Sequence, residues 1–247
     1  MPRVGLILPA LDEEQALPLV LAELPPGVVD VIVVADNGSR DRTAEVARAA
    51  GAHVVLEPRR GYGSACLAGL AALLGEHPDP QARVPDPLGE GDTVVFLDAD
   101  HSDYPEQITR LLEPLHAGRA DLVLGSRVLG GAGLRAMLPQ AWFGNRLACL
   151  LMRLLFGLRA TDLGPFRAIG VADLRSLEMC DRDFGWTVEM QLKAHMRGLR
   201  TLEVPVSYRP RIGHSKITGT LSGTLRAGYK ILSWILAWRL RSGRPRR

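Results

Sequence analysis

The sequence predicts an α/β protein built on a mostly parallel sheet that is flanked by helices. Short apolar runs alternate with segments of helical periodicity through the first half of the chain. The runs are nearly all apolar, as is typical of strands buried on both faces of a parallel sheet. Polar residues follow several of these runs directly, where ligands bind in such sheets.

Strands and helices alternate up to residue 125. The predicted strands of this half are residues 4–8, 28–35, 53–56, 93–97 and 122–125. The predicted helices are residues 13–24, 43–50, 64–74 and 105–117. Prolines 25 and 26 end the first helix, and Pro105 begins the fourth at a position that favours proline. This alternation implies right-handed crossover connections.

The pattern changes after about residue 130. Helical periodicity occurs at 145–158, 172–180, 187–197 and 220–241, and residues 202–208 have the pattern of a strand. We therefore expect a main domain at 1–217, followed by a C-terminal amphipathic helix and basic tail at 218–247.

Composition excludes several classes of protein. Hydrophobic residues make up 47% of the chain and charged residues 23%, which excludes a mainly disordered chain. A net charge of +3 gives no reason to expect a nucleic-acid partner. Of the 30 basic residues only three are lysines, which reflects either background composition or phosphate recognition by arginine.

The cysteines and the N-terminus indicate a cytoplasmic location. Cys66, Cys149 and Cys180 are odd in number and far apart, so we expect neither a disulfide framework nor a zinc site. There is no signal-peptide pattern and no run of about 18 uncharged apolar residues, so we expect no transmembrane helix.

Asp98 and Asp100 follow the predicted strand 93–97 with one residue between them. Two carboxylates at the mouth of a sheet can hold Mg²⁺ or Mn²⁺ against a diphosphate, because these ions prefer oxygen ligands and keep positions open for substrate. Paired acidic residues are also common in solvated loops and helix caps. The apolar strand before them and the helix after them favour the metal site.

Residues 36–43 (DNGSRDRT) form a polar turn after the second predicted strand. Ser39 or Asp41 is placed to cap the following helix, so a turn with a cap would explain the segment without a ligand. The functional alternative places Asp36 on the base and ribose of a nucleotide.

Seven short motifs together resemble the family 2 glycosyltransferases with the GT-A fold, close to the dolichyl- and polyprenyl-phosphate sugar synthases. They are LPALDEE at 8–14, DNGSRDRT at 36–43, RGYGSA at 60–65, DAD at 98–100, GSR at 125–127, TDLGPFR at 161–167 and RIGHSK at 211–216. Each motif is common alone, but seven in family order across residues 4–217 are not expected by chance.

The resemblance implies a role for each matching position. A nucleotide-sugar donor, linked to UDP or GDP, would be bound by Pro9, Asp12, Glu14, Asp36, Gly38, Gly63 and Asp98. Asp98 and Asp100 would hold Mg²⁺ or Mn²⁺ on the diphosphate. Arg127 and Asp162 would lie near the transferred sugar or the acceptor. A lid over the phosphates would be formed by Arg209, Arg211, Ser215 and Lys216, with Gly213 giving it freedom to bend.

The chain departs from the family pattern at four places. Asp12 stands where the family usually has Asn, Asn37 where it has a second Asp, and Ser102 where relatives often have Gln. The segment 161–167 is one residue shorter than usual. The first two departures bear on the base contacts, Ser102 bears on the metal ligands, and the shorter segment bears on the acceptor side.

Glu189 lies among apolar residues on the predicted helix 187–197. A buried carboxylate is costly unless it is paired or used, so it would either accept hydrogen bonds from a sugar or pair with an arginine. The resemblance implies an inverting displacement. A lipid phosphate acceptor, already ionised, needs no general base, whereas an alcohol acceptor needs one, for which Asp162 and Glu189 are the candidates.

The C-terminal helix carries Ile231, Trp234, Ile235 and Trp238 on one face. This face suits peripheral contact with anionic lipid at the cytoplasmic side of a membrane, or packing against the domain or a second copy in a homodimer. Residues 147–158 are equally apolar, and for them we expect core packing.

Three other functions compete with glycosyl transfer. A nucleotidyltransferase would need a glycine- and arginine-rich loop after the first strand, where this chain has residues 9–14. An oxidoreductase would need a Gly-x-Gly-x-x-Gly turn there. A non-catalytic sugar or lipid binding module would not need two metal carboxylates.

Overall fold

The computed structural model describes residues 2–132, 139–213, 232–235 and 238–239. Its strands are β1 (Val4–Ala10), β2 (Val31–Asp36), β3 (His53–Leu56), β4 (Thr93–Phe96), β5 (Leu122–Ser126), β6 (Arg167–Gly170) and β7 (Thr201–Pro205). Its α-helices are α1 (Leu17–Ala22), α2 (Thr43–Ala49), α3 (Tyr62–Leu73), α4 (Ile108–His116), α5 (Pro139–Phe156), α6 (Val171–Leu177) and α7 (Trp186–Met196).

All seven strands form one sheet in the order β3-β2-β1-β4-β6-β5-β7. Strands β1 to β4 run parallel to one another, and β5 runs parallel to β7. The mostly parallel sheet flanked by helices is therefore confirmed. Strand β6, which the apolar pattern did not reveal, runs antiparallel between β4 and β5, with Arg167 opposite Phe96 and Leu124.

The direction of β6 decides what lies at the functional edge of the sheet. We call the side where β1, β2, β4 and β5 end the carboxyl edge. Because β6 runs in the opposite direction, it starts at this edge. The segment that precedes Arg167 therefore lies at the carboxyl edge. That segment contains Asp162, which thereby comes to lie beside the end of β5.

Two apolar layers bury both faces of the sheet. Ile7 and Phe96 face the layer shared with α3, α6 and α7, whereas Leu6 and Leu8 face the layer shared with α1 and α4. Burial of each such side chain contributes about 1.5–3 kcal/mol, which explains why these strands are apolar at consecutive positions. Phe96 meets the Trp186 ring edge-on at 5.7 Å, joining β4 to α7.

The first helix is shorter than predicted. It begins at Leu17 instead of residue 13. The N–H of Asp12 donates to Ser39 Oγ at 2.9 Å, and that of Glu13 donates to Thr43 Oγ1 at 2.8 Å. These bonds join the loop after β1 to the loop after β2.

The described part of the C-terminal segment packs on the domain. Residues 232–235 and 238–239 are helical, and Ile235 is fully buried with Ala148, Met152 and Leu192. Trp234 stacks on Trp238 with ring centroids 5.8 Å apart. The remainder of the predicted helix 220–241 and the expected boundary at 217 lie outside the described residues. Within the described parts of the chain, no helix has the length and apolar character needed to cross a bilayer.

Candidate active site

Two loops at the carboxyl edge form the expected nucleotide side of the site. Asp36, at the end of β2, accepts hydrogen bonds from the N–H and the hydroxyl of Ser39. Asp12 adopts a left-handed backbone (φ 53°), and its carboxylate accepts from the N–H of Arg40 at 2.7 Å. Gly38 also has positive φ, 80°, which its lack of a side chain permits. The segment 36–43 is therefore a tightly bonded turn.

The other expected donor residues lie at the same edge. Pro9 is paired with Ala35 near the end of β1, and Glu14 accepts from the N–H of Arg42 at 3.1 Å. Asp41 accepts from the N–H of Thr43, the first residue of α2, at 3.0 Å, whereas the N-cap position is occupied by Arg42, which makes no side-chain cap bond. Bonds within the turn thus involve both Asp36 and Asp41.

Asn37 explains one departure from the family pattern. Its side-chain amide donates to the carbonyls of Glu57 and Arg59 at 3.0 and 2.7 Å, and its oxygen accepts from the N–H of Gly61 at 2.9 Å. A carboxylate could not donate either of the first two bonds. Asn37 therefore holds the loop between β3 and α3 in place.

The glycines at the start of α3 make room for the protein's own backbone. A Cβ at Gly61 would lie 2.0 Å from the Arg182 carbonyl oxygen, and one at Gly63 would lie 2.1 Å from that of Asp181. Gly63 was expected to let the backbone approach the donor. Its geometry gives a packing reason for glycine at this position.

Asp98 and Asp100 lie just beyond the end of β4. Asp98 Oδ1 accepts from the Tyr62 hydroxyl at 3.0 Å. Burial, followed by the charge of Asp100, raises the pKa of Asp98 to about 7. Asp100 is buried and accepts from the N–H of Ser102 at 2.9 Å. The Ser102 hydroxyl also bonds to Asp100, so Ser102 orients this carboxylate.

A third carboxylate, Asp103, adds to this negative charge. It is 1% exposed, and neither oxygen has a hydrogen-bond partner among the described residues. Burial, followed by the charge of Asp98, raises its pKa. The sequence interpretation did not assign Asp103, although it stands three residues after Asp100. Asp98 and Asp100 supply the carboxylate oxygens that a divalent metal prefers, although the described residues include no group of three or more side chains placed to hold a metal ion.

Arg127 and Asp162 form a buried ion pair beside the end of β5. Nε and Nη2 of Arg127 donate to the two Asp162 oxygens at 2.8 and 2.7 Å, and the Arg127 N–H donates at 2.8 Å. Burial opposes ionisation of Asp162, but the charge and hydrogen bonds of Arg127 hold its pKa below the ordinary value. Arg127 also lies over the Tyr208 ring at 5.0 Å.

Residues far away in the sequence hold Asp162 in place. Asn145 of α5 accepts from the N–H of Leu163 at 2.9 Å, and Glu203 of β7 accepts from that of Asp162 at 3.2 Å. Gln191 of α7 donates to the Asp162 carbonyl at 2.8 Å. None of these three supporting residues was identified from the sequence, because no local motif contains them.

The arginines of the expected lid contact site carboxylates. Arg211 lies 2.7 Å from Glu13 and 3.1 Å from Asp100, bridging the loops after β1 and β4. Arg209 pairs with Glu23 and donates to the His101 carbonyl at 2.7 Å. The other two expected lid residues, Ser215 and Lys216, lie outside the described residues.

Glu189 is fully buried away from these groups. It lies 2.7 Å from Lys193 and accepts from the N–H groups of Cys180 and Asp181 at 3.0 and 2.7 Å. This placement matches the pairing alternative, with a lysine in place of the expected arginine. Glu189 thus fastens the loop before α7.

Comparison with known proteins identifies the class to which this site belongs. The model of glycosyl transferase family 2 matches residues 6–169, and the chain belongs to that family. The resemblance drawn from the seven motifs is confirmed, and with it the enzyme class, glycosyltransferase.

Relatives of similar length narrow the comparison. The chain is 36% identical to an uncharacterised glycosyltransferase of Mycobacterium tuberculosis, over 91% of this chain and 94% of the relative. It is 33% identical to the undecaprenyl-phosphate mannosyltransferase of Micrococcus luteus, over 99% and 98%. It is 31% identical to the dolichyl-phosphate hexose transferase of Haloferax volcanii, over 96% of each chain.

Solved structures confirm the fold. Glucosyl-3-phosphoglycerate synthase from Mycobacterium tuberculosis, in complex with Mn²⁺, UDP-glucose and phosphoglyceric acid, superposes with a TM-score of 0.72. The alignment covers 96% of this chain and 80% of the synthase at 22% identity. The expected GT-A fold is therefore confirmed.

Proposed function

We propose that this protein is an inverting, metal-dependent glycosyltransferase that moves a hexose from a UDP- or GDP-linked donor to a polyprenyl or dolichyl phosphate. The observation that carries the proposal is the pair of carboxylates just beyond β4, Asp98 and Asp100, within the influence of the Arg127–Asp162 ion pair. Membership of glycosyl transferase family 2 and the names of the Micrococcus and Haloferax relatives support it.

Asp98 and Asp100 are the residues that would hold Mg²⁺ or Mn²⁺. The cation would stabilise the charge that grows on the departing nucleoside diphosphate, a contribution of several kcal/mol. Tyr62 and Ser102 hold the two carboxylates in orientation through their hydroxyl groups. The protein–Mn²⁺–UDP-glucose complex of the mycobacterial synthase supports a divalent ion in this fold.

The donor's base and ribose are assigned to the loops after β1 and β2. Asp36 and Asp12 are fixed by the bonds that join these loops, so their carboxylates are held in place before the donor arrives. Such preorganisation lowers the entropic cost of binding. Arg211, which lies beside both Glu13 and Asp100, is within reach of the diphosphate position.

The acceptor side supports a phosphate acceptor. Both candidate general bases are unsuited to that role, because Asp162 is committed to Arg127 with a lowered pKa and Glu189 is paired with Lys193. A phosphate oxygen is already ionised and needs no base. Arg127 would lie where such an acceptor enters, with its charge balanced by Asp162. The enzyme would act peripherally at the cytoplasmic face of the membrane that holds this lipid.

A hydroxyl acceptor remains the second candidate because of Asp103. Its buried carboxylate, with a raised pKa and no hydrogen-bond partner among the described residues, has the properties of a general base. Replacement of Asp103 by Asn separates the two reactions. Transfer to a lipid phosphate persists without a base, whereas transfer to an alcohol is lost.

The test combines donor binding with transfer. Thermal midpoints are measured with a panel of UDP- and GDP-sugars, with and without Mn²⁺, since only a bound donor raises the midpoint. Transfer is then measured with a polyprenyl phosphate and with the corresponding alcohol. Asp100→Ala should abolish transfer while leaving the fold intact.

Asp121→Ala is the matched control. Asp121 pairs with the exposed Arg200 at the opposite edge of the sheet, before β5, so its loss should leave transfer unchanged. Full activity in Asp100→Ala, or equal losses in the two variants, would overturn the metal assignment.

A further inference from the structure

Helix α5 has two faces of different character. Its buried face carries Asn145, Ala148 and Met152, at the spacing of successive helical turns. On the opposite face Phe143, Leu150 and Leu154 are 64%, 50% and 69% exposed. These positions fall on one stripe, since steps of seven and four residues return to the same side of a helix. Core packing, expected from the sequence, accounts for only one side of α5.

The charges along α5 complement an anionic surface. The helix contains no Asp or Glu. Arg146 and Arg153 are exposed and lie together along one side of the stripe, and Arg159 follows just after the helix. Arg146 is held over the Trp142 ring at 4.4 Å. Large apolar side chains flanked by arginine and tryptophan are typical of helices that lie in a lipid headgroup region.

The same helix supports the acceptor side of the active site. Asn145 accepts from the N–H of Leu163 and donates to the Thr161 carbonyl at 3.4 Å, on either side of Asp162. Asp162 in turn holds Arg127. The exposed stripe therefore lies on the face of α5 opposite to the one that contacts the segment around Asp162.

We propose that the exposed stripe of α5 is a membrane-docking surface that inserts into anionic lipid and thereby holds the acceptor side of the site close to the bilayer. The proposal rests on the proposed function for its acceptor, but its surface chemistry can be tested separately. For the tryptophan-bearing C-terminal segment, lipid contact and packing on the domain were the expected alternatives. Its described residue Ile235 is buried in the domain.

The direct test is vesicle binding by the full chain. Flotation is measured with phosphatidylcholine vesicles, with and without phosphatidylglycerol, for the native protein and for the double variant Leu150→Gln/Leu154→Gln. We expect the variant to bind anionic vesicles at least about tenfold more weakly, because two half-exposed leucines no longer enter the lipid. Leu56→Gln is the matched control, since Leu56 is 59% exposed on the edge strand β3, and its binding should not change.

The arginines have their own prediction. Arg146→Gln/Arg153→Gln should remove the preference for phosphatidylglycerol and make the remaining binding insensitive to salt. Substitutions at exposed positions should leave the thermal midpoint within a few degrees of the native value. A variant that melts with the native protein but no longer floats supports the surface.

Other outcomes overturn the proposal or separate it from the proposed function. Unchanged flotation of the leucine variant overturns it. So does a native protein that is a dimer in size-exclusion chromatography, if the leucine variant is a monomer that still binds vesicles. The thermal shift with donor and Mn²⁺ is measured on the same samples. Vesicle binding through α5 without any donor-dependent rise in the thermal midpoint would refute the proposed function but not the docking surface.

Discussion

Replacing Asp98 by Asn should stabilise the metal-free protein while destroying its activity. The Asp98 carboxyl has a pKa of about 7 because it is buried and lies near Asp100. The folded protein therefore holds this proton more tightly than the unfolded chain does. The stability that this group contributes is complete below its unfolded pKa of 3.8 and is lost as the pH rises through about 7.

The size of the effect follows from that pKa difference. About three pH units at about 1.4 kcal/mol each give about 4 kcal/mol as an upper limit. Asp98 keeps some contact with solvent, so we expect about half of this, about 2 kcal/mol. Asparagine cannot ionise, yet its oxygen can still accept from Tyr62. The variant should thus melt about 4–8 °C above the native protein at about pH 8.

The assay is thermal unfolding in the presence of EDTA at about pH 4.5 and about pH 8. The advantage of Asp98→Asn should be small at the lower pH and grow toward the higher one. Asp92, at the other end of β4, is the control of opposite sign. Burial opposes its ionisation, but the N–H groups of Gly89 and Arg3 and the Arg3 charge lower its pKa. Asp92→Asn should therefore lose stability at about pH 8.

Two results would refute this reasoning. One is an Asp98→Asn variant no more stable than the native protein at the higher pH. The other is an equal gain in midpoint from donor and Mn²⁺ in both proteins, because a cation that uses the Asp98 carboxylate should stabilise only the native chain.

Further variants test individual contacts. Arg211→Gln removes a cation beside Asp100, so calorimetry without donor should show that Mn²⁺ binds more tightly to the variant. Steady-state kinetics should show a higher KM for the donor. Weaker binding of Mn²⁺ would contradict this reasoning. Glu189→Gln leaves Lys193 buried without its carboxylate partner, so urea unfolding should show a free energy of unfolding about 3–5 kcal/mol lower, with kcat unchanged. A variant of full stability with a reduced kcat would instead indicate that Glu189 contacts the sugar. Asn37→Asp should cost about 1–3 kcal/mol, because two carbonyls lose their donor; unchanged stability would contradict that role.

The sheet could be predicted from the sequence wherever strands are buried on both faces. Consecutive apolar residues identify β1, β2, β4 and β5 without any knowledge of the fold. Strand β6 gives no such signal, because it has four residues, begins with an arginine and ends with a glycine. Arg167 is fully buried there and donates to the carbonyls of Gly164 and Thr187, partners that only the tertiary structure supplies.

The motifs predicted well which residues lie at the carboxyl edge, but they predicted less well the role of each residue there. Asp98, Asp100, Arg127 and Asp162 do lie at this edge, because strand ends place them there. The bonds of Asn37 depend on a loop about twenty residues away, so its structural role could not be inferred. Both faces of α5 are apolar, and apolar periodicity does not distinguish the face that meets the core from the one that meets water.

The reversed strand β6 has a consequence for how specificity can change. The proposed donor-binding residues up to Asp100 come from the first two-fifths of the chain, whereas Arg127, Asp162 and the residues that support them come from the rest. A hybrid enzyme joined just before β5 would therefore exchange the acceptor side while keeping the loops proposed to bind the donor's base and ribose. Insertions or deletions between α5 and β6 would likewise reshape the acceptor entrance without disturbing the nucleotide pocket.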